Sequence, residues 1–131
     1  MPNLNRISDA LSALLHRTPG DAFVIFEEKG SGKFVQFARS PTEPLYLDLP
    51  AQTLSEEEMK RAKVLFAELG VSGPKEYEVY TDPTMREVTG TQISFNMDFG
   101  QDFQRATEVT LAIFERVYKF PPDFQLVLKE N

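Results

Sequence analysis

Residues Phe23 to Arg39 of the chain read FVIFEEKGSGKFVQFAR. Two runs rich in β-branched and aromatic residues flank Lys29-Gly30-Ser31-Gly32, where glycine tolerates the positive φ of a tight reversal. The reading is a hairpin, with one strand from Ala22 to Glu28 and a second from Lys33 to Arg39. A half-buried antiparallel strand alternates apolar and polar residues. Here Phe23 and Ile25 point one way while Val24 and Phe26 point the other, and Phe34 opposes Val35 and Phe37. Both faces carry apolar side chains, so both call for cover. Either the chain covers the second face itself, with its first helix or with Phe124, Leu126 and Leu128 of its tail, or another polypeptide does; otherwise the register is misread.

Working outward, Leu4, Ile7, Leu11, Leu14 and Leu15 form one helical stripe ahead of the hairpin, stopped at Thr18-Pro19-Gly20. After Ser40-Pro41-Thr42-Glu43-Pro44 a third strand places Leu45, Leu47 and Leu49 on one face and Tyr46 and Asp48 on the other, closed by Pro50. Ser55 with Glu58 three residues on reads as a capping box, Leu54 and Met59 as a hydrophobic staple. The negative charge of Glu56, Glu57 and Glu58 suits the positive end of a helix dipole. Met59, Ala62, Leu65, Phe66 and Leu69 make that helix's buried stripe. Glu56–Lys60 and Glu57–Arg61 are spaced as i,i+4 pairs, and Gly70 suits the C-terminal cap.

A fourth strand spans about Lys75 to Tyr80, and Thr81 to Gly90 reads as a long polar connection. Strand five sets Ile93, Phe95, Met97 and Phe99 against Gln92, Ser94, Asn96 and Asp98, so one of its faces is wet. A last helix runs from about Asp102 to Phe120, ended by Pro121-Pro122. The expected fold is a single α+β domain over residues 1–131, with its core in 4–120 and a tail at 121–131. It has an antiparallel five-stranded sheet in the order α-β-β-β-α-β-β-α, with helices mainly on one face.

Composition excludes several function classes. The chain has 131 residues, no cysteine, one histidine and a formal net charge of -6. That length suits one compact domain. No apolar run approaches the roughly 18 residues that span a bilayer, and the N-terminus lacks a basic leader before an apolar segment. A cytoplasmic protein is expected. Negative charge opposes attraction to phosphate backbones and anionic lipid, so neither nucleic acid nor membrane is an expected partner. Without cysteine there is no disulfide framework, thiolate nucleophile or cysteine metal site.

The element order, together with FVIFEEKGSGKFVQFAR, LYLDLP and LAIFERVY, resembles the superfamily of type III secretion chaperone-like and YbjN-like domains, the TY-Chap group. The resemblance spans roughly residues 4 to 120. It implies a small, often acidic and commonly dimeric domain that binds other proteins; the secretion chaperones wrap an extended client segment around their surface. No catalytic residue carries over from that group.

Individual motifs have plainer structural explanations. Gly30-Ser31-Gly32-Lys33 is similar to the end of a phosphate-binding loop, but the first glycine is missing, Phe34 stands where Ser or Thr would bind magnesium, and a strand follows instead of a helix. His16, near the end of the first helix, suits the negative dipole end and has no acid at ligand spacing. Glu27-Glu28 and Asp98-Asp102 are explained by a strand end, a polar strand face and a helix start, and no G-x-S-x-G elbow is present.

The expectation is therefore a non-enzymatic protein-binding module without cofactor or metal. It would be a homodimer that holds another polypeptide, a client or effector, on a sheet or helix surface. Phe34, Tyr46 and Tyr80 are the side chains expected opposite the core, at the interaction surface, where tyrosine packs its ring and keeps its hydroxyl wet. The alternatives are a small ligand-binding or hydrolytic domain with a cleft between the first helix and the sheet, and an acidic immunity or inhibitor protein.

Overall fold

The computed structural model describes residues 2–17, 22–39, 42, 44–80 and 88–130, with the side chains of Pro2, Tyr77–Tyr80 and Val88–Thr91 left aside. The elements are α1 (Pro2–Leu15), β1 (Ala22–Glu28), β2 (Phe34–Arg39), β3 (Tyr46–Pro50), a single 3-10 turn (Ala51–Thr53), α2 (Glu56–Glu68), β4 (Lys75–Tyr80), β5 (Val88–Asp98), α3 (Phe103–Ala112) continuing as a π-helical turn (Ile113–Val117), and β6 (Leu126–Glu130). The class is α+β, and the sheet is antiparallel in the order β4-β5-β3-β2-β1-β6. The Thr18-Pro19-Gly20 stop and most of the polar connection after Tyr80 lie outside the described residues.

The hairpin forms in the expected register. Val24 pairs with Phe37 and Phe26 with Val35 on one face, while Phe23 pairs with Ala38 and Ile25 with Gln36 on the other. In β3, Leu47 pairs with Phe37 on one side and Met97 on the other, and Leu49 pairs with Phe95. These face the helices. Ile7, Leu11 and Leu14 of α1, Ala62, Leu65 and Phe66 of α2, and Ala106, Val109, Ile113 and Phe114 from α3 onward join Val24, Phe26, Val35, Phe37, Leu47, Leu49 and Phe95 in one buried cluster. Phe66 stacks on Phe95 with ring centroids 4.7 Å apart. Among the described residues, the three α-helices thus lie on one side of the sheet.

α2 begins as its sequence requires. The Ser55 hydroxyl accepts from Glu58 N–H at 3.1 Å while the Glu58 carboxylate accepts from Ser55 N–H at 2.8 Å, closing the capping box. At the other end Gly70 takes φ 89, and Val71 N–H reaches back to Phe66 at 2.8 Å, a Schellman cap. The expected i,i+4 pairs do not form. Lys60 lies 3.7 Å from Glu57, one turn position closer, and Arg61 turns away to donate Nε–H to the Val117 carbonyl at 2.8 Å. A buried backbone acceptor outcompetes a solvated carboxylate there.

Four further expectations need correction. The sheet has six strands, because the tail does not lie over the hairpin: β6 pairs antiparallel with β1 along its free edge, Val24 opposite Glu130 and Glu28 opposite Leu126. Unpaired edge N–H and C=O groups gain more from a ladder than a face gains from a loose tail. Asn3 of α1 fixes the tail's approach by donating Nδ2–H to Phe124 at 2.7 Å and Pro122 at 3.1 Å, and Arg6 Nη1 donates to Leu126 at 2.9 Å. Second, β5 starts at Val88 rather than after Gly90, extended by pairing with β4.

Third, the last helix is not one α-helix to Phe120. Tyr118 N–H bonds back to Ile113 at 3.1 Å, and Lys119 turns left-handed at φ 64. The widened turn lets Phe114 and Tyr118 join Ile113 and Val117 in burial. Fourth, strand five is less wet than its alternation suggests. Ser94 is 1% exposed, wedged between its register partners Pro50 and Lys75, and its Oγ accepts from Gln92 at 2.9 Å.

Phe95 and Ile113 are fully buried. Replacing either with Ala costs about 2 to 5 kcal/mol, read as the shift of a urea unfolding curve. A cost below about 1 kcal/mol at both sites contradicts this core assignment.

Candidate functional site

The face of the sheet turned away from the helices is built from β1, β2, β3, β5 and β6. Register brings Phe23, Ala38, Tyr46 and Asp98 into one row and Lys129, Ile25, Gln36, Asp48 and Asn96 into the next. Val127 pairs with Glu27, which pairs with Phe34. No described helix or tail residue overlies these rows; α1 and β6, the two expected covers, lie on the core side and at the edge. Phe23 is 39% exposed, and Ile25, Phe34, Tyr46 and Val127 are half-buried.

The centre of this face is a polar lattice. The Asp48 carboxylate accepts from Gln36 Nε2 at 3.0 Å and from Asn96 Nδ2 at 3.3 Å, and Asn96 also donates to the Leu47 carbonyl at 3.3 Å. Ala38, Tyr46, Asp48, Gln92, Ser94 and Asn96 line a shallow open depression of about 240 Å³ over this lattice. Lys129 reaches Glu27 at 3.3 Å toward the β6 edge. The result is an apolar band along β1 and β2 beside fixed amide and carboxylate groups of β3 and β5, an arrangement suited to polypeptide contact.

Of the three residues expected at a contact surface, Phe34 and Tyr46 stand on this one face. Tyr80 sits opposite Val88 beyond a bulge between Val79 and Tyr80, and its side chain lies outside the described residues. Phe34 has a second tie: its carbonyl accepts from the Tyr118 hydroxyl at 2.6 Å. Burial, reinforced by the nearby Glu58 carboxylate, pushes the Tyr118 hydroxyl well above its usual range, so it serves as a fixed donor. Sequence reasoning missed Gln36, Asp48 and Asn96. Their alternation marked the face, but their mutual bonds depend on the β2-β3-β5 order.

The hairpin turn itself is structurally occupied. Ser31 N–H donates to Glu28 Oε1 at 2.7 Å, and Gly32 adopts φ 75. Hydrogen bonds from the Ser31 and Gly30 backbone and from the Ser31 side chain hold the Glu28 carboxyl below its ordinary value. Lys33 Nζ, which a phosphate loop would aim at a nucleotide, contacts Glu58 Oε1 at 2.8 Å and the Thr53 carbonyl at 3.1 Å, over the Tyr118 ring. His16 caps the end of α1 with Nδ1 2.7 Å from the Ser12 carbonyl. Among the described residues no group of three or more His, Asp or Glu side chains is arranged to hold a metal, and no helix is long and apolar enough to cross a membrane. No family model, curated protein or solved structure matches the chain.

Glu58 joins the hairpin to α2. Burial pushes its carboxyl up, but the Lys33 hydrogen bond, the Ser55 N–H and the Lys33 charge outweigh that and leave it below 4.5. A carboxyl lowered in the folded state adds stability above its unfolded value, and that stability is lost as pH falls through the folded value. Unfolding free energy therefore falls on acidification below about pH 4.5, more steeply in the wild type than in Glu58→Gln. At neutral pH Glu58→Gln costs about 1 to 3 kcal/mol. Equal pH slopes in the two proteins contradict the assignment.

Proposed function

We propose that this chain is a non-enzymatic polypeptide-binding module whose contact surface is the open face of the sheet, with a second copy of the chain as its partner there. The observation that carries the reading is the one-sided placement of the helices. It leaves Phe23, Ile25, Phe34, Tyr46 and Val127 on a face that no described segment overlies. Phe23 is 39% exposed and the other four are half-buried; completing their burial recovers part of the about 1.5 to 3 kcal/mol that a fully buried large apolar side chain contributes, so covering this band favours association.

A second copy fits because the face is self-complementary in chemistry. It presents both amide donors and carboxylate acceptors, and charges of both signs in Lys129, Glu27, Asp48 and Lys75. A two-fold contact sets each patch against its own copy. The order of elements behind the resemblance to secretion chaperone-like and YbjN-like domains supports a protein-binding role, and a client polypeptide held by the dimer follows from the same reading.

Light scattering coupled to gel filtration at micromolar concentration tests it. The wild type elutes as a dimer, and Phe34→Ala combined with Tyr46→Ala shifts it to monomer while costing less stability than Phe95→Ala. A strictly monomeric wild type overturns the reading. So does a double variant as destabilised as Phe95→Ala with its oligomeric state unchanged.

A further inference from the structure

A second surface lies on the helical side, between α2 and the π-helical turn. Lys60, Arg61, Val64, Arg116 and Lys119 line an open groove of about 280 Å³. Four cations meet here on a chain whose net charge is -6, while Val64 stands 58% exposed among them. Arg61 donates Nε–H to Val117, which fixes its guanidinium at the groove wall, while the exposed Arg116 shares its charge with Glu68. Lys60 has the loose 3.7 Å contact with Glu57, and no ion pair among the described residues involves Lys119.

Lys119 gives an independent indication. It is the one non-glycine residue with positive φ among those described, at 64. That conformation is unfavourable for an L-residue and favours glycine at a helix end. A lysine here keeps a charged side chain where the backbone alone would select none. It follows a π-helical turn, a local distortion that recurs at functional sites.

We infer that this groove docks an acidic segment of a partner polypeptide, with carboxylates on Lys60, Arg61 and Lys119 and an apolar side chain over Val64. A small inorganic anion would satisfy the charges and leave Val64 in water. An acidic peptide with interspersed leucines satisfies both, and the field of an acidic protein makes local charge complementarity the source of its specificity. The groove is separate from the sheet face, so this inference stands or falls independently of the dimer.

Fluorescence anisotropy with a labelled peptide of alternating Glu and Leu tests it, using a Lys-Leu peptide as control and inorganic phosphate as competitor. The acidic peptide binds the wild type, and binding weakens as salt is raised. Lys119→Gly weakens it about two- to fivefold without lowering the thermal midpoint, because glycine relieves the positive φ. Val64→Asp abolishes binding at an exposed position that the fold does not use. Three results overturn the inference: equal binding of the acidic and basic peptides, unchanged binding in Lys119→Gly and Val64→Asp, or displacement by inorganic phosphate at ordinary ionic strength.

Discussion

The described helices all pack against one face of the sheet, and that one-sided packing sets the layout of the molecule. A strand in a two-layer domain sends alternate side chains to the helices and to the opposite side. Val24, Phe26, Val35, Phe37, Leu47, Leu49 and Phe95 meet the helices and are completely or almost completely buried. Ile25, Phe34 and Tyr46 go to the other side because pleating leaves them no choice. A hairpin apolar on both faces is therefore only partly covered by the described helices, and the remainder lies on the open face of the sheet.

Polar ties hold the layers in register. Lys33 at the hairpin turn meets Glu58 at the start of α2, whose carboxylate also closes the capping box. Tyr118 at the end of the π-helical turn bonds the Phe34 carbonyl. Asn3 and Arg6 of α1 hold the segment leading into β6. Each bond joins elements distant in sequence, and together they orient three helices and an edge strand against the sheet. The same π-helical turn that brings Tyr118 inward places Arg116 and Lys119 along the groove beside α2.

Much of this was legible in sequence because it is local. The hairpin, the Ser55–Glu58 box, the Gly70 cap and the β3 alternation each depend on residues within a few positions of one another. The sixth strand was not, since an alternating tail containing Leu126 and Leu128 has the same pattern whether it covers a face or extends an edge. The π-helical turn was hidden because Phe103 to Phe120 keeps an acceptable helical period without it. At the candidate site, Phe34 and Tyr46 were legible from side-chain parity, whereas the Gln36–Asp48–Asn96 lattice required the strand order. The cationic groove was invisible for a similar reason: Lys60 and Arg61 are separated from Arg116 and Lys119 by more than fifty residues, in a chain whose overall charge has the opposite sign.

Hydroxyl-radical footprinting of the aromatic side chains, as protein concentration rises from nanomolar to high micromolar, distinguishes a covered sheet face from an open one. If the open face of the sheet is the contact surface, Phe23, Phe34 and Tyr46 become protected together over that range, while Phe103, on the helical side, keeps its labelling rate. Labelling of Phe23, Phe34 and Tyr46 that is constant at every concentration, or protection confined to the helical side, would contradict it.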